Sequence, residues 1–129
     1  MTVFAPRNCV ADEALKQVLG HEPTFDMMMA AGEIYAGEGS FDRAALTFEH
    51  ATEMDQQSAA AFFRLALAEE GAYEYALAAR DYARAIALQP NDDAMRAHYV
   101  EFQRRTAESA AQAPQAPATE QKLPQVPGG

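Results

Sequence analysis

The stretch Phe41–Asp55, FDRAALTFEHATEMD, is answered further along the chain by YEYALAARDYARAIALQ, from Tyr73 to Gln89. Matching residues lie 34 positions apart: Phe41 with Tyr75, Ala44 with Ala78, Phe48 with Tyr82, and Ala51 with Ala85. In both copies the apolar residues recur at spacings of three and four, which sets them on one stripe of an α-helix. The same lag holds upstream, pairing Met28 with Phe62, Ala31 with Leu65, Gly32 with Ala66 and Gly37 with Gly71. Each block, 25–58 and 59–92, therefore reads as two helices joined by a short turn. GEGS at Gly37–Ser40 supplies the first turn, with Ser40 the expected N-cap of the helix that follows, and GAYE at Gly71–Glu74 supplies the second. Thr24 and Ser58 are the expected caps of the opening helices, and Pro90 closes the second block.

The recurring alanines have a steric reason. Where two helices cross closely, a small side chain lets the backbones approach while a neighbouring aromatic fills the gap. Composition agrees: 49% of the chain is hydrophobic, yet Trp is absent and only 9% is aromatic, a profile that suits close-packed helices better than a β-sandwich. Strand-like alternation is nowhere sustained, so the fold class expected is all-α.

A 34-residue helix–turn–helix period with this residue pattern resembles the tetratricopeptide repeat (TPR). The first block carries Met28, Ala31, Gly32 and Tyr35, then Ala44, Phe48 and Ala51; the second carries Phe62, Leu65, Ala66 and Glu69, then Ala78, Tyr82, Ala85 and Pro90. Met28 and Phe62 stand where the family prefers Trp, Glu69 where it prefers Tyr, and Gln56 where it prefers Pro. The resemblance implies a right-handed α-solenoid of two TPR repeats, 25–58 and 59–92. A C-terminal capping helix is expected over 93–111, with Met95, Tyr99, Phe102 and Thr106 on its inner stripe. Residues 1–24 form an N-terminal segment with one amphipathic helix over Val10–Leu19, which reads equally as a decayed half-repeat. The Pro-, Ala- and Gln-rich stretch 112–129 is expected to be a disordered tail.

Charge narrows the function. The chain carries a net charge of −9, with twelve acidic against four basic residues between Phe25 and Asp92. That surface repels a phosphate backbone, so neither nucleic acid nor an anionic membrane is an expected partner. Cys9 is the single cysteine, which rules out an internal disulfide, and no apolar run reads as a signal peptide or membrane span; a cytoplasmic protein is expected. The three histidines, His21, His50 and His98, show no metal-pair spacing, no glycine-rich phosphate loop is present, and Cys9 lacks a positioned base. The chain is expected to be no enzyme and to need no cofactor or metal.

In the TPR family the first helix of each repeat lines a concave groove that holds a peptide. By register that face carries Asp26, Met29, Glu33 and Ala36, then Ala60, Phe63, Leu67 and Glu70, then Ala94, Ala97 and Glu101. Met29, Phe63 and Leu67 form an apolar floor flanked by Asp26, Glu33, Glu70 and Glu101. Phe63 and Leu67 either lie open in the groove or pack against the flanking helices. The Lys and Asn clamp by which some TPR domains grip a chaperone's terminal carboxylate is missing: its stations hold Met29, Glu33, Arg64, Ala94 and His98. In groove character the chain is similar to small TPR chaperones that shield apolar segments. The expected function is a non-catalytic protein–protein interaction module, an adaptor, assembly factor or chaperone, that takes an apolar, net-basic segment of a partner protein. The alternative is a scaffold: a structural subunit of a larger complex, or a homo-oligomer joined through the same patch.

Overall fold

The computed structural model describes residues 22–112, together with Gln17 and Gly20; the expected N-terminal helix and the Pro-rich tail lie outside the described residues. Among the described residues there are five helices and no strand: α1 (Phe25–Gly37), α2 (Phe41–Met54), α3 (Ala59–Gly71), α4 (Tyr75–Leu88) and α5 (Asp93–Ala111). The all-α expectation holds, and the helix boundaries keep the sequence period. α1 and α3 each have 13 residues, α2 and α4 each have 14, and each pair begins 34 residues apart, as do α3 and α5.

Three of the helix starts are capped by a side chain. Met27 donates its backbone N–H to Thr24 Oγ1 at 3.2 Å, Ala61 to Ser58 Oγ at 3.1 Å, and Met95 to Asp92 Oδ1 at 3.0 Å. These bonds satisfy donors that the first turn of a helix leaves without partners. Ser40 departs from expectation: it occupies the N-cap position of α2 without a side-chain bond. Its ψ of 71 lies away from the extended values of the three capping residues, and the residue is already committed to the end of α1. Its N–H reaches back to the Tyr35 carbonyl at 2.9 Å while the Gly39 N–H bonds Ala36 at 3.0 Å, the paired bonds of a Schellman termination. The second block repeats this, Glu74 to Glu69 at 2.8 Å and Tyr73 to Glu70 at 3.1 Å.

Successive helices pack on one another along the chain, α1 on α2, α2 on α3, α3 on α4 and α4 on α5. The stripes read from sequence are the core. Met28, Ala44, Phe48, Ala51, Ala66, Ala78, Tyr82 and Ala85 are all buried. Ala44 and Phe48 cluster with Leu65 and Ala68 of the next block, and Ala78 and Tyr82 with Ala66 and with Phe102 of α5. Burying an aromatic of this size contributes about 1.5–3 kcal/mol. Gly32 shows how tight the crossing is, since a Cβ there would stand 2.5 Å from the Phe48 ring. Gly71 plays the same part between blocks, where a Cβ would stand 2.6 Å from the Phe41 ring.

α5 seats Met95 and Phe102 as expected, with Tyr99 and Thr106 half-buried beside them. Tyr82 is the hub of this joint: its ring lies 5.0 Å from Phe102, 5.8 Å from Tyr99 and 5.7 Å from Phe63. Such tilted aromatic pairs add about 0.5–1.5 kcal/mol each beyond their buried area.

Candidate functional site

The face assigned by register to α1, α3 and α5 divides into two unlike halves. Between α1 and α3 lies a cavity of about 90 Å³ lined by Glu33, Ala36, Phe41, Phe48, Arg64, Leu67 and Ala68. Its walls are mostly carbon. At its edge Arg64 Nε meets Glu33 at 3.1 Å, with both side chains about half exposed. An ion pair this open is worth roughly 0–1 kcal/mol, so an incoming charged group displaces it at little cost. Ala36, one residue from the end of α1, keeps that end of the cavity open because its side chain is a single methyl group.

The α3–α5 half is closed by its own side chains. Tyr82 donates its hydroxyl to Glu70 Oε1 at 2.5 Å, His98 Nε2 stands 3.1 Å from the same hydroxyl, and Arg105 Nη2 donates to Glu70 Oε2 at 2.7 Å. Burial pushes the Glu70 carboxyl up, but the hydrogen bonds from Tyr82 and Arg105 outweigh it and the net shift is downward. The Tyr82 hydroxyl is held well above its ordinary range, by burial first and then by the bond to Glu70. This is chemistry for locking a helix in place. A tyrosine held protonated on a paired carboxylate is a poor acid and no nucleophile.

The expected site residues fall accordingly. Asp26, Glu33, Ala60, Ala94, Ala97 and Glu101 are exposed, while Met29, Ala36, Phe63, Leu67 and Glu70 are half-buried. Met29 packs against the Phe48 and the Met28–Ala51 clusters. The Phe63 ring is not an open floor: it lies 5.5 Å from His98 and 5.7 Å from Tyr82, so it packs under α5. Of the two readings left open by sequence, packing against the flanking helix is the one realised for Phe63. Glu101 is bonded to Arg104 and approached by Arg105 at 3.8 Å, and these contacts, Arg104's bond foremost, hold its carboxyl below the usual range. Two of the four acids expected along the rim are therefore neutralised by arginines of α5; Glu33, paired with Arg64, is the one acid on the wall of the α1–α3 cavity, and Asp26 stands exposed in the first turn of α1.

Sequence reasoning missed the parts played by Phe41, Phe48 and Ala68 in the cavity, and by His98 and Arg105 in the lock. Phe48 was legible only as core, although its edge also forms a cavity wall. The lock has a signal in the sequence: Glu70 and Arg105 carry opposite charge, and His98 adds a hydrogen-bonding ring, on helices that the period places side by side.

A second polar feature lies away from this face. Glu69 and Asp81 are 6% and 3% exposed and hydrogen-bonded to one another across α3 and α4. Burial, followed by that bond and the Asp81 charge, pushes the Glu69 carboxyl up to about 9, and its Oε1 has no hydrogen-bond partner among the described residues. Arg80 bonds both oxygens of Asp81 at 3.3 Å. In the first block the same stations hold Tyr35 and Thr47, so both members of the contact differ together.

Among the described residues no cluster of His, Cys, Asp and Glu is arranged to hold a metal ion, and no helix is long and apolar enough to cross a membrane. Comparison with protein-family models returns no match, and comparison with curated proteins returns none either.

Proposed function

We propose that the chain is a two-repeat TPR solenoid acting as a non-catalytic protein-interaction module, which holds an apolar, net-basic segment of a partner protein in the groove between α1 and α3. The α1–α3 cavity carries this reading. Its 90 Å³ suits one aliphatic side chain, and the acid on its wall, Glu33, suits a flanking Lys or Arg. A basic residue of the segment takes over Glu33 from Arg64, so binding exchanges one ion pair for another and leaves no carboxylate newly buried without a partner. The net charge of −9 steers a basic segment toward the chain and speeds encounter more than it deepens affinity. Adaptor, assembly factor and chaperone all use this mechanism and differ only in what is done with the bound segment.

The test is capture from native extract with the full chain beside Ala36→Lys and Leu67→Glu variants. Both substitutions fill or charge the cavity; Ala36 stands clear of the Tyr82 cluster, whereas Leu67 also packs against it, so Ala36→Lys is the cleaner of the two. A partner retained by the wild type and lost by both variants, at unchanged helicity, supports the groove. Equal retention by all three refutes it.

A further inference from the structure

The 34-residue period gives α5 a place as well as a function. It begins one period after α3, and Tyr99 and Val100 stand at the stations of Leu65 and Ala66, and before them of Ala31 and Gly32. Gly32 and Ala66 are buried because each is covered by the second helix of its own block, under Phe48 and Tyr82 respectively. Val100 is 62% exposed, with no such helix over it. Beside it runs an open groove of about 340 Å³ lined by Ala83, Ile86 and Ala87 of α4 and by Arg96, Tyr99 and Val100 of α5.

The sequence of the next period does not favour the missing helix. One period on from α4 falls at residues 109–122, where Pro114 and Pro117 interrupt the span, and α5 runs unbroken through the residues where the turn would have to be. A second copy fits poorly. Arg96 is the single charged residue of the groove, and a two-fold pairing would set it against the same carboxylate-free wall. The complement of that wall is a helix with an apolar stripe and a carboxylate on the flank facing Arg96.

Side-chain size narrows the partner further. At the two filled stations a Gly or Ala on the first helix faces an aromatic on the second. Val100 fills the space that the small residue leaves, so the pattern is inverted and a small residue belongs opposite it. We infer that this end of the molecule is a docking surface for one amphipathic, acidic α-helix of a partner protein, with small side chains along its buried stripe. The surface is separate from the α1–α3 groove, so two partners of opposite charge can be held together.

The probe is a fluorescent, side-chain-stapled peptide of the chain's own residues 41–54, which carries Asp42, Glu49 and Glu53 against Arg43 for a net charge of −2. It is made in two forms, one with the natural Phe48 and one carrying Phe48→Ala. The full chain should bind the Phe48→Ala form at least about tenfold more tightly than the natural form, a difference of about 1.4 kcal/mol. Val100→Glu should abolish binding, Ala36→Lys, at a residue packed on the Phe48 cluster and not in this groove, should leave it unchanged, and Val100→Ala should shift the preference toward the Phe48 form. Several results overturn the inference: binding of neither peptide, binding that survives Val100→Glu, a preference untouched by Val100→Ala, or a dimer in sedimentation that Val100→Glu dissolves.

Discussion

Glycine at position 32 shows why single atoms matter in this molecule. Alanine would improve the helix propensity of α1 by about 1 kcal/mol. It would also place a methyl group 2.5 Å from the buried Phe48 ring, and overpacking of that kind costs about 1–3 kcal/mol. The clash should win, so Gly32→Ala should lower the stability measured by urea unfolding; a gain would mean that the ring moves freely. Glu69 sets a pH dependence. Its carboxyl holds a proton up to about pH 9 in the folded chain but only to about 4.5 when unfolded. The stabilisation is therefore complete below about pH 4.5, is lost progressively as the pH rises from there, and is gone once the pH passes about 9. Glu69→Gln keeps a donor toward Asp81 without the titration, so it should flatten the fall in melting temperature between about pH 4.5 and 9. A fall of wild-type steepness in the variant would assign the loss over that range to other groups.

At the scale of elements, the period specified helix number, order and boundaries, and it did so because stripe and turn recur together at one lag. Turn chemistry was less legible. Tyr73 stands at the station of Gly39 with φ 65, a left-handed conformation that costs a residue with a Cβ about 1–2 kcal/mol. The ring is 79% exposed and meets Tyr75 edge-on at 6.3 Å, a weaker compensation. Tyr73→Gly should thus raise stability by roughly 0.5–1 kcal/mol, and a loss would show that the tyrosine pair outweighs the backbone. The caps divide in the same way. Ser58→Ala should cost about 1 kcal/mol, whereas Ser40→Ala should cost almost nothing, because only Ser58 makes the capping bond. Ser40 was misread because a residue's type signals a cap while its backbone angle decides whether the side chain can reach, and that angle is set by the preceding helix's termination. Phe63 was uncertain for a related reason: register gives the face of a helix, but whether a neighbour covers that face depends on how closely α5 leans in.

For the whole molecule, the joint between α5 and the second block decides how much of the face is available. Glu70→Ala removes the acceptor of a buried tyrosine hydroxyl and the partner of Arg105, at a cost of about 1–3 kcal/mol. Amide exchange in α5 should accelerate while α1 and α2 stay protected; uniform acceleration would mean that the chain opens as one unit. With α5 locked, the groove that remains is the one between α1 and α3, which the proposed function gives to a basic segment, while the acidic helix proposed as a second partner would dock at the α4–α5 end. The most direct measurement of the central claim is photo-crosslinking in native extract from a benzophenone side chain placed at Ala36, with a second placement at Gln57 as control. The account predicts a partner crosslinked from position 36 and not from 57, attached through a segment that is apolar and carries a net positive charge. Crosslinks from 57 alone, or attachment at 36 to an acidic segment, would contradict it.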